Sequence, residues 1–252
     1  MAVGGTVGVA AGVAALFVLG GCTPDVAQDP PAEAMEFDFD VAPPRVPQPT
    51  GLIFNPQSKH LDFSLAGVAL PADCADAAPP LSQAECEFDK YLQTLDGFPT
   101  VTPAAAPATA PLAPESLTVG ANVVVVAAKS QKVVTDVTVG FDATSRSLTV
   151  RPPRSWSLGE SYLIGVRGYE NGVRAANGRQ VVGSPTQYLL KQTTPLTTCD
   201  GDSDCPALTL LLQTKDREEA TKSLFQVEAI RQGYQPAWAL MEQLGGLSRA
   251  ET

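Results

Sequence analysis

The chain has 252 residues, 22 of them proline, and a net charge of −10 with an isoelectric point near 4.5. That balance argues against a nucleic-acid partner, whose phosphates this surface would repel, and no basic run is present to seek anionic lipid head groups. Aromatic residues make up only 6% while Val and Ala are plentiful, a mix that suits short strands, turns and extended linkers better than a helical bundle.

The first acid is Asp25 and the first base Arg45. Val3 to Gly20 is apolar or small throughout, which fits the apolar core of a secretory signal; a spanning helix needs ~20 strongly apolar residues. Leu19-Gly20-Gly21-Cys22 matches the bacterial lipobox at the point where that run stops. Small side chains admit the peptidase just before the cut, and the Cys22 thiol takes the diacylglycerol. The alternative is an ordinary signal peptide with an incidental Cys22. Thr23 stands where Asp would mark inner-membrane retention, so the expected location is the outer membrane or cell surface of a Gram-negative bacterium. The expected division is a signal over 1–21, a proline-rich tether over 22–50 and a folded domain over 51–252.

Cys74, Cys86, Cys199 and Cys205 remain after Cys22. An even number in an exported chain reads as disulfides, and local pairing, Cys74–Cys86 and Cys199–Cys205, is the simplest choice. The C-x-x-C spacing of a metal–thiolate site is absent.

Residues 81–97 predict a short amphipathic helix. Ser82 and Glu85 form a capping-box signature. Leu81, Ala84, Phe88, Tyr91, Leu92 and Leu95 recur at helical spacing, which reads as a core-facing stripe. The Pro/Ala-rich tract 99–114 is expected as linker or sheet edge. Strands follow over 122–128 and 161–168, with a hairpin whose arms flank 143–145. Asn171-Gly172 and Asn177-Gly178 mark turns, and 188–191 is read as one more strand. Asp216 with Glu219 caps a helix to about Gln232, closed by Gly233. Pro236 then suits the first turn of a second helix that stops at Gly245-Gly246. The fold class expected is mainly β: an antiparallel Ig-like sandwich with one short N-terminal helix and two C-terminal helices.

The order of these motifs is similar to a known family. A helix, "TLDGFPT", an Ig-like strand set, "SLGESYLIGVRGYENGVRAANGRQVVGSPT", then helices with "AIRQGYQP" resembles the N-terminal region of bacterial virulence-factor-type lipases. The resemblance runs from about Phe37 to Gly246. It implies an exported lipoprotein whose Ig-like region precedes an α/β-hydrolase domain. In those lipases the second C-terminal helix is followed by another strand that returns to the sheet. The expectation here is therefore a truncated form, or a member without its catalytic half, with an open sheet edge.

Catalytic signals are sparse. G-x-S-x-G occurs nowhere. The only histidine is His60, two residues before Asp62, and no serine is placed against it. In "CDGDSDC", Asp200, Asp202 and Asp204 alternate like the start of a calcium loop, although Leu211 occupies the twelfth position where an EF-hand has Glu; a simply solvated acidic loop is the alternative. Two functions stand open: a non-catalytic, membrane-anchored binding or accessory module for an extracellular protein, lipid or glycan, and the front part of an extracellular lipase or esterase.

Overall fold

The computed structural model describes residues 32–37, 45–55, 57–62, 70–79, 81–199 and 216–252. Its strands form several small sheets, consistent with a mainly-β fold, and three α-helices accompany them among the described residues.

Two three-stranded antiparallel sheets dominate. One has the order β4-β8-β7: β4 is Ala104–Pro107, β7 Thr138–Asp142 and β8 Ser147–Arg151. The other has the order β6-β5-β9: β5 is Val123–Ala127, β6 Lys132–Val134 and β9 Tyr162–Val166. The β7–β8 hairpin forms as its sequence predicts, with Phe141 opposite Leu148 and Asp142 capping the turn by accepting from Thr144 N at 2.8 Å. Two smaller pairs complete the strands. β1 (Glu33–Met35) runs parallel to β10 (Val181–Gly183), and β2 (Phe54–Asn55) pairs antiparallel with β3 (His60–Leu61).

β5 organises the interior. Its β-branched run is buried at every position, because successive side chains enter two different cores. Val123 and Val125 join Leu148, Val150, Val173 and Val181 in the core shared with β4-β8-β7. Val124 and Val126 meet Met241 and Leu247 on the opposite face.

β4 is the edge strand expected of the Pro/Ala tract. Its outer side is partly covered: Ala105 exchanges backbone bonds of 2.7 and 2.6 Å with Gln48, and Pro107 O accepts from Glu36 N at 2.8 Å. The 22–50 stretch thus contributes β1 and Gln48 to the folded body.

The helices correct three sequence expectations. Helix α1 (Gln83–Leu92) forms, with both arms of the Ser82–Glu85 capping box in place. Its predicted core stripe, however, is split: Leu81, Leu92 and Leu95 are half-buried, whereas Ala84 is exposed and Phe88 and Tyr91 are 58% and 59% exposed. Cys86, on the other side of the helix, is the buried residue. Residues 188–191 are not a strand. Ser184 accepts from Gln187 N, Pro185 fills the first turn, and helix α2 (Pro185–Leu190) results. Finally, the C-terminal pair of helices is one helix, α3 (Arg217–Gly245), with Pro236 inside it and Gly246 in the left-handed conformation at its end. Gly233 and Pro236 are both exposed. The helix is secured before them by Leu224 and Val227 and after them by Met241 and Leu244, so packing on both sides overrides the glycine and the proline.

Candidate functional site

Cys22, Cys205, Asp200, Asp202 and Asp204 lie outside the described residues, as does the side chain of Cys199. Cys74 and Cys86 form the expected disulfide, with Cα atoms 5.5 Å apart. It joins the short 3-10 turn Cys74–Asp76, capped by Asp73, to the first turn of α1. Lys90 Nζ donates to Ala72 O at 2.7 Å on the same side. These two ties hold the polar side of α1 against the loop, and Phe88 and Tyr91 are left facing out.

His60 is exposed on β3, opposite Asn55. Asp62 accepts from Asn55 Nδ2 at 3.3 Å. His60 N donates to Ser58 Oγ at 3.3 Å, so among the described residues both His60 and Asp62 serve a small turn. No group of three or more His, Cys, Asp or Glu able to hold a metal occurs among the described residues.

The densest buried charged cluster is one the sequence reading missed. Glu228 and Arg231 on α3 are a bidentate pair, Nε to Oε2 at 2.7 Å and Nη2 to Oε1 at 2.8 Å, with side chains 7% and 5% exposed. Leu196 N donates to Oε2 at 2.9 Å and Gln232 Nε2 to Oε1 at 2.7 Å. Arg231 Nη1 donates to Gln192 O at 3.0 Å. The Arg231 guanidinium, against the opposing effect of burial, holds the Glu228 carboxyl at about 2. The carboxylate accepts two bonds on each oxygen, which fills its usual capacity. With no acceptor position to spare it is a clamp joining α3 to the segment after α2, not a catalytic base. A sequence signal existed: 220, 224, 227, 228 and 231 share one helical face, so both charges fall within the apolar stripe.

A second polar knot ties down the last residues. Lys191 is buried, donates from Nζ to Thr252 O and to Tyr169 Oη at 3.4 Å, and lies 5.4 Å from the Tyr169 ring centre. Arg167 pairs with Glu251. Tyr234, packed edge-on against Phe37 with ring centres 6.2 Å apart, has its phenol pushed up to about 12 by burial, opposed by a hydrogen bond with Thr50. Each of these groups is engaged within the fold.

The described features free to meet another molecule are thus surfaces: the Phe88–Tyr91 face of α1 and the outer sheet edges. No helix among the described residues is long and apolar enough to cross a membrane. No family model, curated protein or solved structure matches the chain.

Proposed function

We propose that this chain is an exported, lipid-anchored bacterial lipoprotein whose body is a non-catalytic, Ig-like binding or accessory module. The observation that carries the reading is the Cys74–Cys86 disulfide in a chain that begins with an apolar run closed by Leu19-Gly20-Gly21-Cys22. A structural disulfide favours an oxidising compartment, and the lipobox supplies the route out and the anchor. The shared core of the two three-stranded sheets supports the sandwich reading. The polar clusters favour a scaffold, since their donors and acceptors are spent on each other. The expected ligand is an extracellular protein, lipid or glycan, met through side-chain surfaces and strand edges.

Mass spectrometry of protein extracted from membranes tests the anchor. The expected mature chain starts at a diacylglyceryl-modified Cys22; a different first residue or a free Cys22 thiol removes the anchor from the proposal. The motif order from the helix at 81–97 to "AIRQGYQP" favours a second reading, the front part of an extracellular lipase or esterase. A short acyl-ester assay separates the two, because hydrolysis above background by this chain overturns the non-catalytic reading.

A further inference from the structure

We propose that the outer edge of β9 pairs with the same edge of a second copy of this chain, as two antiparallel strands about a two-fold axis. The orientation of the backbone carries the argument. Arg167 N donates to Asn122 O at 2.8 Å and Ala128 N to Ser161 O at 2.8 Å, at the two ends of the β5–β9 ladder. In an antiparallel ladder the bonded residues alternate, so 161, 163, 165 and 167 face β5. The N–H and C=O groups of Tyr162, Ile164 and Val166 therefore point away from β5, and β9 has no further strand partner among the described residues. A row of such groups is a template for another strand.

The other edges are poorer templates. β6 has three residues and begins with the exposed Lys132. β7 turns Val139 and Phe141 into the core, whereas Thr138, Gly140 and Asp142 lie on the opposite side of its sheet; a strand added there would gain apolar cover on one face. The sheet of β9 is covered on both faces, Tyr162, Ile164 and Val166 packing into one core and Leu163 into the other. A strand joining it must be apolar at successive positions. "YLIGV", residues 162–166, is itself such a segment.

Self-pairing also closes. With Ile164 opposite Ile164 of the second copy, Tyr162 faces Val166 on both sides of the axis, and about six backbone bonds form. Such an interface is isologous and ends in a dimer. Charge permits it. A chain of net charge −10 repels its copies in general, but β9 carries no acid or base. Beyond it Arg167 is already paired with Glu251, whose backbone O accepts from Gly168 N, so the two-fold contact is confined to the uncharged residues 162–166.

The test is hydrogen exchange resolved to single amides, on the full chain in a mild detergent, over a series of protein concentrations, with sedimentation velocity in parallel. The expected result is that exchange at Tyr162, Ile164 and Val166 slows with concentration, about tenfold once nine-tenths of the chains are paired, while a dimer appears. Unchanged exchange at these three amides across the series overturns the proposal. So does a dimer whose new protection falls at Val139 and Phe141 or on α1. Ile164→Pro removes an outward N–H that β5 does not use, and is expected to abolish the concentration dependence. Circular dichroism reports whether that variant folds; if it does not, the exchange series on the unaltered chain decides the matter alone.

Discussion

Glu228 and Arg231 show what a charge costs inside an apolar face and how the cost is offset. Each is almost fully buried, and the pair survives because every acceptor position on the carboxylate is occupied. Removing one partner strands the other. Arg231→Met is expected to destabilise the fold by about 3–5 kcal/mol, whereas the double change Glu228→Leu with Arg231→Met should cost far less, because no uncompensated charge remains. Urea melts of the two single variants and the double variant measure the coupling; equal, additive losses would contradict the clamp. The acid response follows from the direction of the shift. Glu228 is held below its ordinary 4.5, at about 2, so its contribution is complete above pH ~4.5 and is lost as pH falls toward ~2. Glu228→Gln should flatten the acid limb of a stability-against-pH curve in that window and leave the neutral region parallel to the unaltered protein.

At the scale of elements, glycine decides how closely α3 lies on the sheet. A Cβ at Gly165 of β9 would come 2.6 Å from Leu247 Cδ2 and 3.0 Å from Met241 Sδ; one at Gly245 would come 2.8 Å from Val124 Cγ1. Both contacts lie in the same small core. Gly165→Val is therefore expected to cost about 1–3 kcal/mol by overpacking, and a Leu247→Ala background should recover part of that loss in denaturant titrations. Pro236 makes the opposite prediction. It interrupts α3 on an exposed face, so Pro236→Ala restores a helical N–H without disturbing packing. A gain of about 1–3 kcal/mol is expected, and a loss would mean that the helix needs its proline. These elements also mark where sequence reading succeeds. Caps are local, so Ser82–Glu85, Asp216–Glu219 and Gly246 are legible from neighbouring residues. The β7–β8 hairpin and β5 are legible for the same reason, through alternation and β-branching. The facing of α1 was not, because the Cys74–Cys86 bridge chooses which side of the helix is held. Nor was the continuity of α3, which depends on two cores far apart in sequence. The charged clamp was hidden by the habit of reading Glu and Arg as solvent-facing.

For the molecule as a whole, stability should be graded outward from β5. Its side chains belong to the two cores that flank the central sheet, whereas α1 buries only Cys86 and leans on its bridge. Reduction of Cys74–Cys86 releases a 12-residue separation and is expected to remove about 3 kcal/mol of local stabilisation. Limited proteolysis of the reduced protein should cut first within 72–97, with the amides of Val123 to Val126 still among the slowest to exchange. Loss of protection in β5 at the same moment would show that the bridge supports the entire fold instead.

The parallel pairing of β1 with β10 has a mechanical consequence. Glu33 N donates to Gln180 O at 2.8 Å and Ser184 N to Met35 O at 3.1 Å, while Thr109 N and Glu36 N bond across the strand's other side. The Glu33 carboxylate adds Asn177, Arg179 and Thr109. A tension applied N-terminal to Glu33 and directed along β1 loads these bonds side by side, in shear, so that they yield together; a pull across the strand would open them one after another. β1 is thus a strain-bearing buckle between the leading segment and the sheets. In single-molecule stretching from the N-terminal side, Glu33→Ala should lower the rupture force of the first event and leave the later, core-breaking events where they were. An unchanged first peak would place the buckle elsewhere in the chain.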